Sequence, residues 1–415
     1  MSSKMDNDTK QEVDLLYGEN IFTFKAKNNV DTFSMAHVFL LDEDGQFPLF
    51  FEIKKDTSSK LINYEIIDDK NHPNKLIKFT FAPMKKNEEI TLHFEYWVIV
   101  KNRDYQDLPK YVEMPKDSDL SDYAKKWIYP TKAVQSNNIF IKIKSSSLKL
   151  FTKNLFVFSK RISYSICFHR LILLHLILYL GNVLLTKKYW PYLMDAVSCY
   201  FLGGTCAAKT NLEVGLFRSK GIPARGLIGT TMYYEGKKWC DAQHFFFEYY
   251  CPKYGWIRGM SGRVPYESKN CIVLRINYPE DENIAGGAFD YYGGCEPWFW
   301  IDNKDIVLGF PEGAKYYKKR KGYGRPINRG WIEAECMINR IDAKQVTDIV
   351  RAVWELYVKY LGMSFNDSNG HYFSSGVDLQ KRAIESLRKS DVNEFIRNMD
   401  LVYKEYKKIT LLEVR

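Results

Sequence analysis

The chain has 415 residues, which is long enough for two or three domains. Hydrophobic residues make up 46% of the sequence and charged residues 27%, a composition that is typical of globular proteins and excludes a disordered chain. The net charge of +10 is small for this length, so it permits an acidic partner but gives no reason to expect nucleic acid.

The first part of the chain predicts a polar tail followed by a β domain. Residues 1–18 are polar, and we expect them to be disordered. Short segments with polar and apolar residues in alternation follow, separated by turns rich in Asp, Asn and Gly. This pattern is typical of an immunoglobulin-like β-sandwich over residues 19–105. The predicted strands are Ile21–Ala26, Thr32–Leu41, Phe47–Lys54, Leu61–Ile67, Lys75–Phe81 and Glu89–Val100.

Residues 106–335 are predicted to form one α+β core domain. A short helix is expected at Ser118–Trp127, and residues 141–202 are expected to be mostly helical. Within them, Leu171–Leu185 is apolar, but it is about 15 residues long and three residues interrupt it, whereas a membrane span needs about 20. We therefore expect a buried helix there and no membrane span.

The stretch Gly203–Trp256 contains the residues with recognisable chemistry. A helix is predicted to begin at Cys206 and to end at Gly221, because apolar residues recur at helical spacing and glycine is favoured after a helix. Strands follow, and the second of them carries His244. The predicted strands are Ala224–Tyr234, Trp239–Tyr250 and one that begins at Trp256.

Cys206 and His244 are suited to be a thiol nucleophile and its base. The unpaired N–H groups at a helix N-terminus stabilise a thiolate and can hold the oxyanion of a tetrahedral intermediate. A histidine on a neighbouring strand can accept the thiol proton and return it. These residue types, in this order, predict a Cys–His pair.

Four motifs in this stretch resemble the transglutaminase-like superfamily. They are G-T-C ending at Cys206, L-x-R-x-x-G-I-P-A-R over Leu216–Arg225, H-x-x-x-E-x-Y over His244–Tyr250, and Y-G-W over Tyr254–Trp256. The resemblance implies a papain-like α+β fold in which the cysteine-bearing helix packs on an antiparallel sheet. It also implies a Cys-His-Asp catalytic set, as in protein crosslinkers and microbial thiol hydrolases, with Cys206 as nucleophile and His244 as general base.

The third member of this catalytic set is missing from its usual position. The family continues G-W-x-x-x-D, but Met260 stands where the aspartate is expected, and its side chain cannot orient an imidazole. Glu248 is four residues from His244, about 13 Å along a strand, which is too far for direct contact. The possible acceptors in its place are Ser261, Asn270 and Asn277, and the sequence leaves the choice open. Arg225 is expected to form an ion pair inside the domain rather than to bind substrate.

The rest of the chain predicts no second catalytic centre. The glycine- and aromatic-rich residues 263–335 either line a substrate cleft or extend the core sheet. Cys295 has no nearby histidine, and the basic run Lys315–Arg325 is interpreted as a solvated loop. Residues 336–415 are predicted to be helical, with one apolar face along Val346–Tyr360 and later helices at Asp378–Lys389 and after Asp391.

Three functions are compatible with the sequence. The first is a thiol hydrolase, a peptidase or amidase that cleaves a peptide or protein substrate through an acyl-enzyme on Cys206. The second is a protein-glutamine transferase that forms crosslinks, and the third is a catalytically silent binding or scaffold module, which Met260 favours.

The sequence also bears on cofactors and location. There is no phosphate-binding loop and no metal-ligand spacing, so no cofactor or metal is expected. The N-terminus has no signal peptide and the eight cysteines form no C-x-x-C pair, which predicts a cytoplasmic protein with free thiols. The sequence says nothing about the oligomeric state.

Overall fold

The structure is a computed structural model with an α+β fold, as the sequence predicts. It describes residues 13–43, 45–69, 73–101, 114–146, 195–202, 206–231, 243–259, 271–283, 299–308, 327–334, 343–363, 365 and 367–413. Several predicted features lie outside these ranges, namely residues 1–12 of the polar tail, the apolar segment Leu171–Leu185, Cys295 and the basic run Lys315–Arg325. The predicted disorder of residues 13–18 is wrong, because these residues belong to a strand that begins at Val13 rather than at Ile21.

The strands in the described ranges form three sheets. In chain order they are β1 (Val13–Ala26), β2 (Phe33–Val38), β3 (Gln46–Ile53), β4 (Leu61–Asp68), β5 (Lys75–Phe81), β6 (Glu89–Lys101), β7 (Ala224–Thr231), β8 (Gln243–Cys251), β9 (Gly255–Gly259), β10 (Cys271–Ile276), β11 (Phe299–Ile301), β12 (Ile306–Leu308) and β13 (Ile327–Ala334).

The described α-helices fall before, within and after the strands of the core. They are α1 (Asp122–Lys125), α2 (Ile139–Ser146), α3 (Ala196–Leu202), α4 (Cys206–Arg218), α5 (Pro279–Asn283), α6 (Ala343–Tyr360), α7 (Asp367–Arg388) and α8 (Val392–Glu413). None of these helices is long and apolar enough to cross a membrane.

The N-terminal strands form two antiparallel sheets that pack face to face. One sheet has the order β12-β1-β6-β3 with β13 also paired to β1, and the other has the order β11-β2-β5-β4. Phenylalanines fill the space between the sheets, and the ring of Phe94 lies 6.0 Å from that of Phe22 and 5.7 Å from that of Phe79. The alternating pattern in the sequence thus produces a two-layer core, while the immunoglobulin-like topology stays a prediction.

Residues 299–334 contribute strands to the sandwich, although the sequence predicts that all of residues 106–335 belong to the core domain. Strand β11 pairs with β2, and β12 and β13 both pair with β1. The physical reason is that β1 has 14 residues and offers a long free edge beside β6. A returning chain satisfies the backbone groups of that edge, whatever its position in the sequence.

The core sheet has the order β10-β7-β8-β9, and helix α4 packs on one of its faces. On β8, Phe245, Phe247 and Tyr249 are buried in the same apolar cluster as the residues of α4. Phe246 belongs to a separate cluster on the opposite face, together with Trp127. Both faces of this sheet are therefore buried, which explains why β8 has so few polar residues.

Two side-chain amides of the sandwich hydrogen-bond to the outer edge of the core sheet. Gln46 Nε2 donates to Val273 O at 2.8 Å and Gln46 Oε1 accepts from Val273 N at 2.7 Å. Asn74 makes the same pair of hydrogen bonds with Ile276, both at 2.8 Å. The two amides take the place of a neighbouring strand. They provide hydrogen-bond partners for the backbone N–H and C=O groups at the edge of β10, and they fix the sandwich against the core.

The Gln46→Leu variant is expected to lose about 2 kcal/mol of stability, because buried backbone groups of Val273 would lose their partners. Gln46 also donates to Leu41 O at 2.8 Å, so a third buried group is left unpaired. Urea unfolding measures the loss. The control is Asn28→Ala, which removes an exposed hydrogen bond to Asp305. Equal stabilities for the two variants would contradict the structural role of the amide.

The C-terminal helices pack against strand β3 of the sandwich and against each other. The predicted apolar face of α6 is confirmed, since Val346, Val350, Val353, Tyr357 and Tyr360 are buried. The predicted cap before α8 is also present, because Asp391 Oδ1 accepts from Glu394 N at 3.0 Å. Helix α7 begins at Asp367, earlier than the predicted start at residue 378.

Candidate functional site

Cys206 is the first residue of helix α4, as the sequence predicts. Its thiol is half-buried and forms no disulfide bond, whereas the other cysteines that the structure describes are buried and also form no disulfide bonds, namely Cys199, Cys251 and Cys271. Burial raises the pKa of Cys271 to about 12, so this thiol has no nucleophilic form near neutral pH. Among the described cysteines, Cys206 is therefore the one with access to a reagent.

Helix α4 is anchored at its C-terminal end by a buried ion pair. Arg218 donates to Glu282 through Nη1 at 2.7 Å and Nη2 at 2.9 Å, and its Nε donates to Ala224 O at 2.8 Å. Burial raises the pKa of Glu282, and the ion pair with Arg218 opposes that shift. A cation at this end of a helix interacts favourably with the helix dipole. The anchor therefore holds the whole helix, including Cys206, in a fixed place on the sheet.

Helix α4 and strand β8 run in the same direction. The ring of Phe217, near the end of the helix, lies 4.6 Å from that of Tyr249, near the end of the strand. Earlier in the helix, Thr210 lies beside Gly226, which pairs with Phe247. Both contacts place the beginning of the helix toward the beginning of the strand.

The first residues of α4 and β8 consequently lie at the same end of the core. From Cys206 to Phe217 the helix rises about 16 Å, and from His244 to Tyr249 the strand rises about the same distance. The main chain of His244 pairs with Gly229. The structure thus brings the backbone positions of the two predicted catalytic residues to one end of the sheet.

The strand register sets a condition on any contact between these two residues. The side chains that pack against α4 come from Phe245, Phe247 and Tyr249, so the alternating positions 246 and 248 belong to the other face. Because side chains alternate along a strand, position 244 shares the face of positions 246 and 248, opposite to α4. The side chain of His244 lies outside what the structure describes. The register by itself therefore does not direct position 244 toward α4.

Arg225 forms an internal ion pair, as expected, and does so within a three-residue cluster. Its guanidinium donates to Glu248 Oε2 at 2.7 and 2.9 Å, and Arg258 donates to Glu248 Oε1 at 3.1 and 3.2 Å. Arg225 also lies 4.3 Å from the ring centroid of Trp256. Glu248 thus joins β7, β8 and β9, and both of its oxygens are occupied by arginines. This arrangement agrees with its exclusion as a partner of His244.

The structure describes one of the residues considered as the third catalytic member. Asn277 N donates to Gly226 O at 2.9 Å, and Gly226 is three residues from Gly229, the partner of position 244. That separation is about 10 Å along the strand, so Asn277 does not orient His244. The others lie in the undescribed ranges that follow β9 and precede β10, namely Met260, Ser261 and Asn270.

The acidic turn after β2 has a structural role. Asp42 accepts from Arg351 Nε at 2.9 Å, and Glu43 lies 3.4 Å from Arg225. The turn thereby contacts both α6 and the core sheet. Over the ranges that the structure describes, no three His, Cys, Asp or Glu residues come together as possible metal ligands.

Fold and site together define an α+β protein with a half-buried cysteine at the start of a helix on an antiparallel sheet. Residues 184–259 match the core of the transglutaminase-like superfamily, so the resemblance predicted from the motifs is confirmed. This segment is therefore similar to the core of a superfamily of thiol-dependent hydrolases and transferases.

A solved structure from Cytophaga hutchinsonii, named "Putative Cysteine Protease", aligns with a TM-score of 0.48 at 12% sequence identity. The alignment covers 78% of this chain and 92% of that chain. No curated protein sequence matches the chain significantly.

Proposed function

We propose that the chain is a thiol hydrolase, a peptidase or amidase, with Cys206 as nucleophile and His244 as general base. The observation that carries the proposal is the position of Cys206, a half-buried free thiol at the first residue of a 13-residue helix. The common direction of α4 and β8 adds support, because it places the backbone of His244 at the same end of the core.

The chemistry follows from these positions. The thiolate of Cys206 attacks the carbonyl carbon of a peptide or amide, and the N–H groups at the start of α4 stabilise the resulting oxyanion. The imidazolium of His244 gives a proton to the leaving amine as the acyl-enzyme forms. Water then attacks the acyl-enzyme, His244 removes a proton from this water, and the thiol is restored with release of the acid.

Met260, in place of the usual aspartate, is expected to lower the activity of the Cys206–His244 pair without changing the reaction. In a catalytic triad the third residue orients the base, and its loss costs less than the loss of the nucleophile or the base. A Cys–His pair without the usual aspartate is therefore expected to retain some activity. Ser261 and Asn270 are proposed as the groups that can orient His244, since Asn277 is too distant.

Iodoacetamide labelling of the native protein at ~pH 6 tests the proposal, because an ordinary thiol is less than about 1% ionised there. We expect Cys206 to be labelled at least about tenfold faster than any other cysteine in the chain. The His244→Ala variant should lose this advantage. The control is His371→Ala, which changes an exposed histidine on α7 and should label as the wild type does.

The labelling experiment also separates the hydrolase from a silent module. If Cys206 reacts no faster than the other cysteines, or if His244→Ala reacts as fast as the wild type, the proposed pair does not exist. If the pair is present, peptides and amides are offered with and without a primary amine. Release of acid indicates a hydrolase, whereas incorporation of the amine indicates the transferase.

A further inference from the structure

One segment near the middle of the chain is strongly basic. Between Asp122 and Asp195 the sequence contains twelve lysines and arginines and no acidic residue. Since the net charge of the whole chain is +10, the remaining residues together carry −2. The same segment is rich in apolar residues, so it combines the two properties that favour the surface of an anionic membrane.

Helix α2 lies in this segment and has an exposed apolar face. Its inner face is formed by Ile141 and Ser145, which are buried. Its outer face carries three large apolar side chains, with Ile139 59%, Ile143 58% and Phe140 46% exposed. Three large exposed apolar residues on eight residues of helix are more than the scattered ones found on ordinary surfaces.

Lysines flank the apolar face of α2 on both sides. At 100° per residue, Ile139, Ile143 and Phe140 span one stripe, with Lys142 on one side and Lys144 on the other. Lys142 is exposed and Lys144 is half-buried. An apolar stripe with a lysine on each side is the pattern of a helix that lies in the plane of a membrane interface, where the ammonium groups meet lipid phosphates.

We propose that the outer face of α2 binds the surface of an anionic lipid membrane. The apolar stripe enters the interface between headgroups and acyl chains, and the lysines contact acidic headgroups. This is attachment to one leaflet and requires no membrane-spanning helix. Each lysine of α2 that meets an anionic headgroup, Lys142 or Lys144, strengthens the attraction by roughly fivefold.

Charge and hydrophobicity together favour lipid over other partners. Nucleic acid would account for the lysines but gives no reason for the exposed isoleucines. A second copy of this chain would cover the isoleucines, but it would bring two acid-free segments with the same positive charge together. An anionic membrane accounts for both features at once.

The proposed surface is connected to the nucleophile but does not depend on the thiol chemistry. The ring of Phe140 lies 4.9 Å from that of Phe201 on α3, and α3 ends just before Cys206 begins α4. Membrane attachment through α2 would therefore hold the start of α4 close to the lipid surface. It would do so whether or not Cys206 is active.

Flotation of the full-length protein with vesicles tests the proposal. The probes are phosphatidylcholine vesicles with and without phosphatidylserine. We expect binding to the phosphatidylserine vesicles that weakens as salt is raised, since salt screens the attraction. In the double variant Ile139→Glu/Ile143→Glu, the partition constant should fall at least about tenfold, because two apolar side chains no longer enter the interface. The matched control is Ile62→Glu on β4, where the replaced isoleucine is also 58% exposed.

Each other outcome overturns the proposal. The wild type could fail to float with phosphatidylserine vesicles, or the double variant could float as well as the wild type. In sedimentation without lipid, a wild-type dimer that the double variant converts to a monomer would assign the face to a second copy. The serine variant Ile139→Ser/Ile143→Ser repeats the test with a smaller change, and circular dichroism checks that every variant is folded.

Discussion

The Glu248→Gln variant is expected to lose about 3–5 kcal/mol of stability, because it breaks a buried ion-pair cluster and removes the carboxylate charge between two buried guanidinium groups. All three side chains of the cluster are buried, with exposed fractions of 3% for Arg225, 2% for Glu248 and 5% for Arg258. Each carboxylate oxygen accepts two hydrogen bonds from one arginine. A glutamine would turn an NH₂ group toward one of the two guanidinium groups.

The effect should be concentrated in the core sheet. Arg225, Glu248 and Arg258 lie on three neighbouring strands, and the pairing of Arg225 with Glu248 and of Glu248 with Arg258 follows the backbone register. The cluster therefore fixes the register of β7, β8 and β9 at a point four residues from His244. We expect amide hydrogen exchange in these strands to accelerate more than exchange in the sandwich.

The control for Glu248→Gln is Glu65→Gln, which removes an ion pair with Lys78 on the surface of the sandwich. The side chain of Glu65 is 59% exposed and that of Lys78 is 39% exposed. A pair of this kind contributes about 0–1 kcal/mol, so urea unfolding should separate the two variants clearly. Equal losses of stability would show that the buried cluster is no more important than a surface pair.

The sequence predicted the local elements because their causes are local. The predicted limits of β3, β4, β5 and β6 agree with the structure to within one residue, since alternation and turn residues define a strand without reference to its partners. The return of β11, β12 and β13 to the sandwich was missed, because the free edge of β1 is visible only after the sheets are assembled.

The same distinction applies to the candidate site. The G-T-C motif placed Cys206 correctly at the first residue of α4, and the expected ion pair of Arg225 was found. The second arginine on Glu248 was not anticipated, because it depends on the register between β8 and β9. Gln46 and Asn74 were also missed as contacts between domains. The sequence marks each of them only by a single amide side chain, Gln46 at the start of a strand and Asn74 in a turn.

His37 is a further residue whose role could be seen only in the folded chain. It lies on β2, where the sequence suggests an ordinary strand position, but the structure places it between the sheets. Its ring centroid is 5.5 Å from those of Phe22 and Phe94, and its Nδ1–H donates to Val38 O at 2.5 Å. Burial lowers the pKa of His37 to about 4, although the hydrogen bond to Val38 raises it somewhat.

The low pKa of His37 predicts a loss of stability in acid. In the unfolded chain this histidine has its ordinary pKa of 6.5, so below that pH the unfolded state binds a proton that the folded state does not. The stability contributed by the neutral ring is complete above pH 6.5 and is lost as the pH falls toward 4. This difference in pKa between the unfolded and folded states corresponds to about 3 kcal/mol of unfolding free energy.

The His37→Phe variant isolates this contribution, because other buried groups titrate with the opposite sign. Burial raises the pKa of Asp281 and of Glu282, so their contributions are present in acid and are lost as the pH rises. The variant keeps these carboxyl groups and removes only the buried imidazole.

Between ~pH 7.5 and ~pH 4, the unfolding free energy of the wild type should fall by about 3 kcal/mol more than that of the variant. In the control His371→Phe, which alters an exposed histidine, the fall should match the wild type. Parallel curves for wild type and His37→Phe would mean that the imidazole takes up a proton without leaving the core.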